Sequence, residues 1–238
     1  RMTPASISMS PRVDSENDRI EFDTQGLPLP VIHKQFYLDA RELEASRKGA
    51  APLDTTQAEE AMRVCAEELE HLVVGDRTYA FGGYSLYGYR SHPDRLTKVI
   101  TAPSGGWTPD VLLTQLLEMR QQSIDVHHRG PWRVYLGPGW SVHLDADYSA
   151  AYKGLTIRER ISNVAGIRSV DTADYLPTYD ILMVSMRQSV IRLAIGMEFT
   201  TLSWEEKGSL GLNFMVMGII VPQIRADHDG NTGIVHGA

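Results

Sequence analysis

Residues 27–75 read LPLPVIHKQFYLDARELEASRKGAAPLDTTQAEEAMRVCAEELEHLVVG, and this block decides the architecture. Leu27-Pro28-Leu29-Pro30 holds the backbone extended, because each proline fixes its own φ and biases the residue before it away from helix. Ile32 to Leu38 then reads as a β-type stretch, and a polar bridge runs to Pro52-Leu53-Asp54. From about Thr55 to Val74 apolar residues recur at Ala58, Ala61, Met62, Cys65, Ala66, Leu69, Leu72 and Val73, which is helical spacing. Asp54, Thr55 or Thr56 can cap the first turn, Thr56-x-x-Glu59 has the spacing of a capping box, and Gly75 supplies a stop.

Towards the N-terminus, Ile7 to Phe22 reads as two short strands around the turn-forming Asp14-Ser15-Glu16-Asn17-Asp18. Its large apolar residues are few (Ile7, Met9, Val13, Ile20, Phe22), so this hairpin needs another surface to lie on. The chain opens Arg1-Met2 without an apolar signal-peptide core, which reads as a processed protein or one whose beginning lies outside this sequence.

Towards the C-terminus, Arg77 to Gly106 is rich in Gly and Tyr (FGGYSLYGY) and reads as a connection with one short hairpin. Thr108-Pro109-Asp110 opens a second helix, with Val111, Leu112, Leu116 and Met119 on one face. Trp132 to Leu136 is strand-like, Gly139 to Leu144 short and helical, and Leu155 to Val164 a third helix. Strands follow at Ile167–Val170, Ile181–Met186, Val190–Ile195, Phe199–Trp204 and Leu210–Val221. Helices first and antiparallel strands later predict an α+β protein.

Composition narrows the function classes. The chain has 238 residues, 42% hydrophobic, enough for a sizeable core. With 30 acidic against 23 basic residues the formal charge is −7, which argues against a strongly cationic nucleic-acid-binding surface. Cys65 is the single cysteine, so these residues form no internal disulfide, and its place on the apolar side of the helix makes it a small buried residue. The longest membrane-like run, Phe214 to Val221, is far short of a span, and no membrane partner is expected.

Each candidate site has a plainer reading. His127-His128 are adjacent and cannot chelate as an i, i+4 pair would; they read as the solvated end of the second helix. Asp145, Asp147, Asp171, Asp174 and Asp180 resemble an acid/base set, yet each lies in turn-like sequence where Asp serves the backbone. Asp227-x-Asp229-x-Asn231 has the spacing of three calcium ligands, but Thr232 stands where the loop needs glycine and Ala238 where it needs glutamate. The aromatics Tyr79, Phe81, Tyr84, Tyr87 and Tyr89 could stack bases, and read more simply as packing against a neighbour. No catalytic, cofactor or metal residue is expected.

Residues 27–75 resemble the encapsulin (linocin-like) family and the tailed-phage major capsid proteins of the Hong Kong 97-type fold: a strand leaving an extended loop, a bridge, and the long spine helix of a peripheral domain. Thr108-Pro109 with Leu112, Leu113 and Leu116 is similar to the family's second helix, and Gly130-Pro131-Trp132 to its entry into the axial domain. Val190 to Phe199 and Gly211 to Val221 resemble two later strands, the second returning to the peripheral domain. The resemblance implies an extended-loop hairpin over 1–26, a peripheral domain over 27–129 with its spine helix at 55–74, a mainly axial domain over 130–205, and a return strand and tail over 206–238.

The resemblance further implies a structural protein, not an enzyme: a major capsid protein forming pentamers and hexamers of an icosahedral shell around double-stranded phage DNA, bound without sequence specificity. Scaffold or decoration proteins are further partners, and the location is a virion capsid assembled in a bacterial cytoplasm. The extended loop, with Arg12, Asp14, Glu16, Asp18, Arg19 and Phe22, would contact the neighbouring subunit. Some shells of this fold are cross-linked through a lysine on that loop. Residues 1–26 contain no lysine, the first being Lys34, so non-covalent assembly is expected. The encapsulin N-terminal helix that binds cargo has no counterpart here, so no cargo residue is transferred. That start, and residues 225–238 running past the usual encapsulin terminus, tilt the expectation towards a phage capsid. The alternatives are an encapsulin shell around an enzyme cargo and, from another class, a soluble hydrolase using His128 or the Asp cluster.

Overall fold

The computed structural model describes residues 7, 26–39, 41, 44, 45, 48, 49, 53–105, 107–149, 152–205 and 211–238. The expected hairpin at 7–22 therefore lies outside the described residues, apart from the fully exposed Ile7. In chain order the elements begin with β1 (Ile32–Asp39), α1 (Leu53–Val74), β2 (Tyr79–Phe81), β3 (Tyr84–Leu86), β4 (Leu96–Lys98), α2 (Pro109–Asp125) and β5 (Trp132–Leu136). A 3-10 turn at Pro138–Trp140 leads into α3 (Ser141–Leu144), then β6 (Asp147–Ser149), β7 (Tyr152–Thr156) and α4 (Ile157–Ser162). Five strands complete the chain: β8 (Ile167–Thr172), β9 (Ile181–Ser185), β10 (Ile191–Glu205), β11 (Gly211–Ile224) and β12 (Ile234–Gly237).

The first packing unit is a three-stranded antiparallel sheet, ordered β1-β11-β10, with α1 across one face. α1 buries Ala61, Cys65 and Leu72 and half-covers Met62 and Leu69 against Ile32, Phe36 and Val216. Ala66, expected on the buried side, is exposed: it sits one helical step from Cys65, and the stripe facing the sheet is too narrow to include it. Phe36 stacks on Phe214, centroids 5.1 Å apart, across the β1–β11 pair. The two strands expected at 190–195 and 199–204 form the single β10, which register shifts between Ile195 and Thr200 bend without ending.

The second unit is a five-stranded mixed sheet, ordered β4-β12-β9-β5-β8. One face packs on α2, the 3-10 turn, α3 and α4 through Leu112, Leu116, Met119, Trp140, Leu144, Ile157 and Ile161. The other meets the end of α1, the chain around Tyr89 and Leu176, and the start of β10. α4 is shorter than expected because Leu155 belongs to β7; Thr156 caps it, accepting from the Glu159 N–H while the Glu159 carboxylate accepts from the Thr156 N–H.

Two expectations about organisation change. Residues 225–238 are not simply a tail: β12 lies inside the five-stranded sheet, parallel to β4 and antiparallel to β9, with Ile234 and Val235 fully buried. Residues 27–129 do not pack as one body either, since β4 and α2 belong to the five-stranded unit. Conversely β10, expected with the axial strands, pairs along its length with β11 beside α1. Non-local pairing decides both points.

Candidate assembly surface

The candidate functional residues do not converge. Asp145 pairs with Arg158 at 3.1 Å, Asp147 accepts from the Gly154 N–H, and Asp171 accepts from the Ser169 hydroxyl. Asp180 instead sits 2.9 Å from His236 Nε2 and 3.5 Å from Arg90 Nε, and Asp174 lies in the turn beside Tyr175, whose phenol pKa burial raises. His127 is exposed, with a left-handed φ of 66°. His128 is half-buried and its Nε2 donates to the Asn231 carbonyl at 3.3 Å, with Asp227 at 3.7 Å, so it ties the 227–231 turn to the end of α2 instead of extending into solvent. Asp227 Oδ1 accepts the Asp229 and Asn231 N–H groups, which spends the calcium-like spacing on a backbone turn. Among the described residues no group of three or more His, Cys, Asp or Glu side chains could hold a metal ion.

The aromatic cluster divides. Tyr79, Phe81 and Tyr84 are exposed on the β2–β3 hairpin, whose tip is Gly82-Gly83. Tyr87 packs edge-on against His92, and Tyr89 is buried, its phenol pKa pushed up to about 12 mainly by loss of solvation. Cys65 is buried in α1 with its thiol near the Val216 carbonyl, and burial raises its pKa, the state of an inert core cysteine. Among the described residues no helix is long and apolar enough to cross a membrane.

The surface most in need of a partner is the β10 side of the three-stranded sheet. Among the described residues β10 is an edge strand of 15 residues, and Leu193, Ile195, Leu202 and Trp204 are 49%, 57%, 48% and 41% exposed. Register places Leu202 opposite Met215, itself opposite Gln35, and Trp204 opposite Asn213, itself opposite Tyr37. Strand alternation puts these six on the face away from α1, since Val216, between Met215 and Met217, is buried against the helix. A long, apolar edge with one open face is what soluble monomers avoid. Sequence reasoning missed this surface because it placed these strands among the axial ones; the alternation Leu193-x-Ile195 and Leu202-x-Trp204 was the available signal.

Residues 1–237 match the family described as a family of unknown function, DUF6260. The chain belongs to that family. This DUF6260 chain is 30% identical over 112 residues to the type 1 encapsulin shell protein EncA of Myxococcus xanthus strain DK1622, covering 46% of the chain and 36% of that relative. It thus spans about a third of the curated relative it matches. Among solved structures it resembles a virus-like particle protein from Pyrococcus furiosus, with a TM-score of 0.69 at 17% identity over 89% of this chain and 78% of that one. It also resembles the capsid protein of Myoviridae phage XM1, with a TM-score of 0.67 at 11% identity over 88% and 72%. The fold is the α+β Hong Kong 97-type fold, and the DUF6260 chain is similar in it to encapsulin and phage capsid proteins.

Proposed function

We propose that this chain is a structural subunit, not a catalyst, that assembles with copies of itself into a closed icosahedral shell of pentamers and hexamers. The observation that carries this reading is the exposed face of β10 and its edge, unpaired among the described residues, on a fold shared with shell proteins. In the assembled shell the unit built on α1 and the three-stranded sheet is the peripheral domain, and the five-stranded unit the axial domain. Residues 1–26 form the extended loop of a neighbouring copy, which lies on the Tyr37, Leu202 and Trp204 face. Its contacts are Phe22 on the apolar part and Arg12, Asp14, Glu16, Asp18 and Arg19 in charge pairs at the rim. Identical patches on every copy let many weak contacts close one shell.

The contents are double-stranded phage DNA held without sequence specificity, in a virion assembled in a bacterial cytoplasm, with scaffold or decoration proteins as further partners. A subunit of charge −7 supports this reading, because a container of DNA should not grip it tightly. The second reading, an encapsulin around an enzyme cargo, is favoured by the identity with EncA. Negative-stain microscopy of the purified protein is the first test: hollow shells are expected, and a uniform particle of ordinary globular size overturns the proposal. Nuclease-treated shells that release protected DNA support the capsid; a co-purifying enzyme in its place supports the encapsulin. Without a lysine in residues 1–26 the boiled, reduced subunit should run as a monomer, and a high-mass ladder refutes non-covalent assembly.

A further inference from the structure

The two packing units meet at a joint whose polar groups form one chain of contacts. The loop at 87–95 is clamped to the end of α1: the Tyr89 and Arg90 N–H groups donate to the Val73 and Val74 carbonyls, both at 2.9 Å. Gly88 lies so close to Gly75 that a Cβ on it would stand 2.3 Å from the Leu72 carbonyl oxygen. The same loop grips the five-stranded sheet through His236 of β12, which is 6% exposed. Arg95 Nε donates to His236 Nδ1 at 3.3 Å, and His236 Nε2 lies 2.9 Å from Asp180 Oδ2. A guanidinium only donates, so Nδ1 is the acceptor and the ring proton is on Nε2, donated to Asp180. Arg90 lies 3.5 Å from Asp180 and 3.9 Å from Asp76, and Asp76 is 2.9 Å from His71 near the end of α1.

We propose that His236 is a proton-sensitive latch that fixes the 87–95 loop, and with it the end of α1, to the five-stranded sheet. Neutral His236 satisfies Arg95 and Asp180 together. A second ring proton, on Nδ1, would point at the Arg95 N–H and replace a hydrogen bond by donor against donor. The groups facing the ring are Asp180, ahead of β9, and Arg90 and Arg95 on the loop; His92 and Asp94 share that loop, and Lys98 of β4 turns to Glu118 of α2. Only Asp180 favours the imidazolium. Desolvation opposes it first, and the two arginines add to that, so the ring is held below the ordinary 6.5 despite Asp180. Losing the Arg95 contact would also free the strand ends nearby, because Thr232 bonds the Asp94 carbonyl and β4 pairs with β12. The latch thus couples proton concentration to how firmly the two units are held at this joint, whatever the shell contains.

Hydrogen exchange read by mass spectrometry on the purified full chain tests this, at about pH 7.5 and about pH 5, corrected for intrinsic rates. Acid should selectively remove protection from peptides covering 88–98 and 232–238, while 132–136 in the same sheet stays protected. His236→Gln can still accept from Arg95 and donate to Asp180 but does not titrate, so its selective loss should vanish. No selective loss in the wild type, or the same loss in His236→Gln, overturns the proposal. If His236→Gln does not fold, Arg95→Met removes the opposing donor and should leave the loop equally loose at both pH values. Retention of the wild-type acid increment there would likewise overturn it.

Discussion

β9 and β10 show the two units in their starkest contrast: all five residues of β9 are buried, whereas β10 has one buried residue in fifteen. Strands flank β9 on both sides and both of its faces are covered; among the described residues β10 is an edge with an open face. β9 therefore finds its apolar and ladder partners within its own unit, whereas β10, among the described residues, leaves one edge and one face uncovered. Substitutions in the two should separate folding from assembly.

The largest effect on folding should come from the core of the five-stranded unit. Trp140 has no exposed surface, and its indole N–H donates to the Tyr179 carbonyl at 2.9 Å. Trp140→Ala removes a large buried ring and leaves that carbonyl without its donor, so a loss of about 3–5 kcal/mol is expected in urea unfolding. A smaller loss, about 1–3 kcal/mol, is expected for Gly88→Ala at the joint, where the added methyl meets backbone atoms that cannot step aside. An unchanged midpoint for either would mean that the unit boundaries are drawn in the wrong place.

The joint also sets a pH dependence. His236 and His92 are both held below 6.5, chiefly by desolvation. The unfolded chain therefore binds more protons than the folded one as pH falls through 6.5, and stability should decrease on acidification. Denaturant midpoints measured from neutral to mildly acidic pH should fall, and the slope should shrink in His236→Gln. A smaller and purely local effect is expected at α4. Thr156→Ala deletes one half of the capping box and should cost about 1 kcal/mol.

Much of this was legible because the deciding signals are local. The α1 stripe, the Thr108-Pro109 helix start, the Gly82-Gly83 turn and the strand at Trp132 are each written within one or two turns of chain. What escaped depends on distant partners. Ile234-Val235-His236-Gly237 is too short to announce a strand, and its burial comes from β4 and β9, some 140 and 50 residues away in the chain. Gly196 breaks the alternation of β10 and invited a reading as two strands, where β11 carries the ladder across the bend. The Asp and His candidates looked alike in sequence, and only packing separates Asp180, in the joint, from Asp147, on the β6–β7 hairpin, and the turn-forming Asp227.

The smallest effect on folding should fall where the effect on assembly is greatest. Leu202 and Trp204 keep nearly half of their surface in water in the isolated subunit, so Leu202→Ser with Trp204→Ser opens no cavity in a core. Subunit stability should stay within about 1 kcal/mol per site of the wild type. If a neighbour's loop lies on this face, the same pair of changes removes the apolar centre of a contact repeated at every subunit, and small per-site losses multiply around a closed shell. Size-exclusion chromatography should then show folded but unassembled subunits. Shells of normal yield would mean that this face is open in the particle, and that the edge of β10, not its face, is what a neighbour completes.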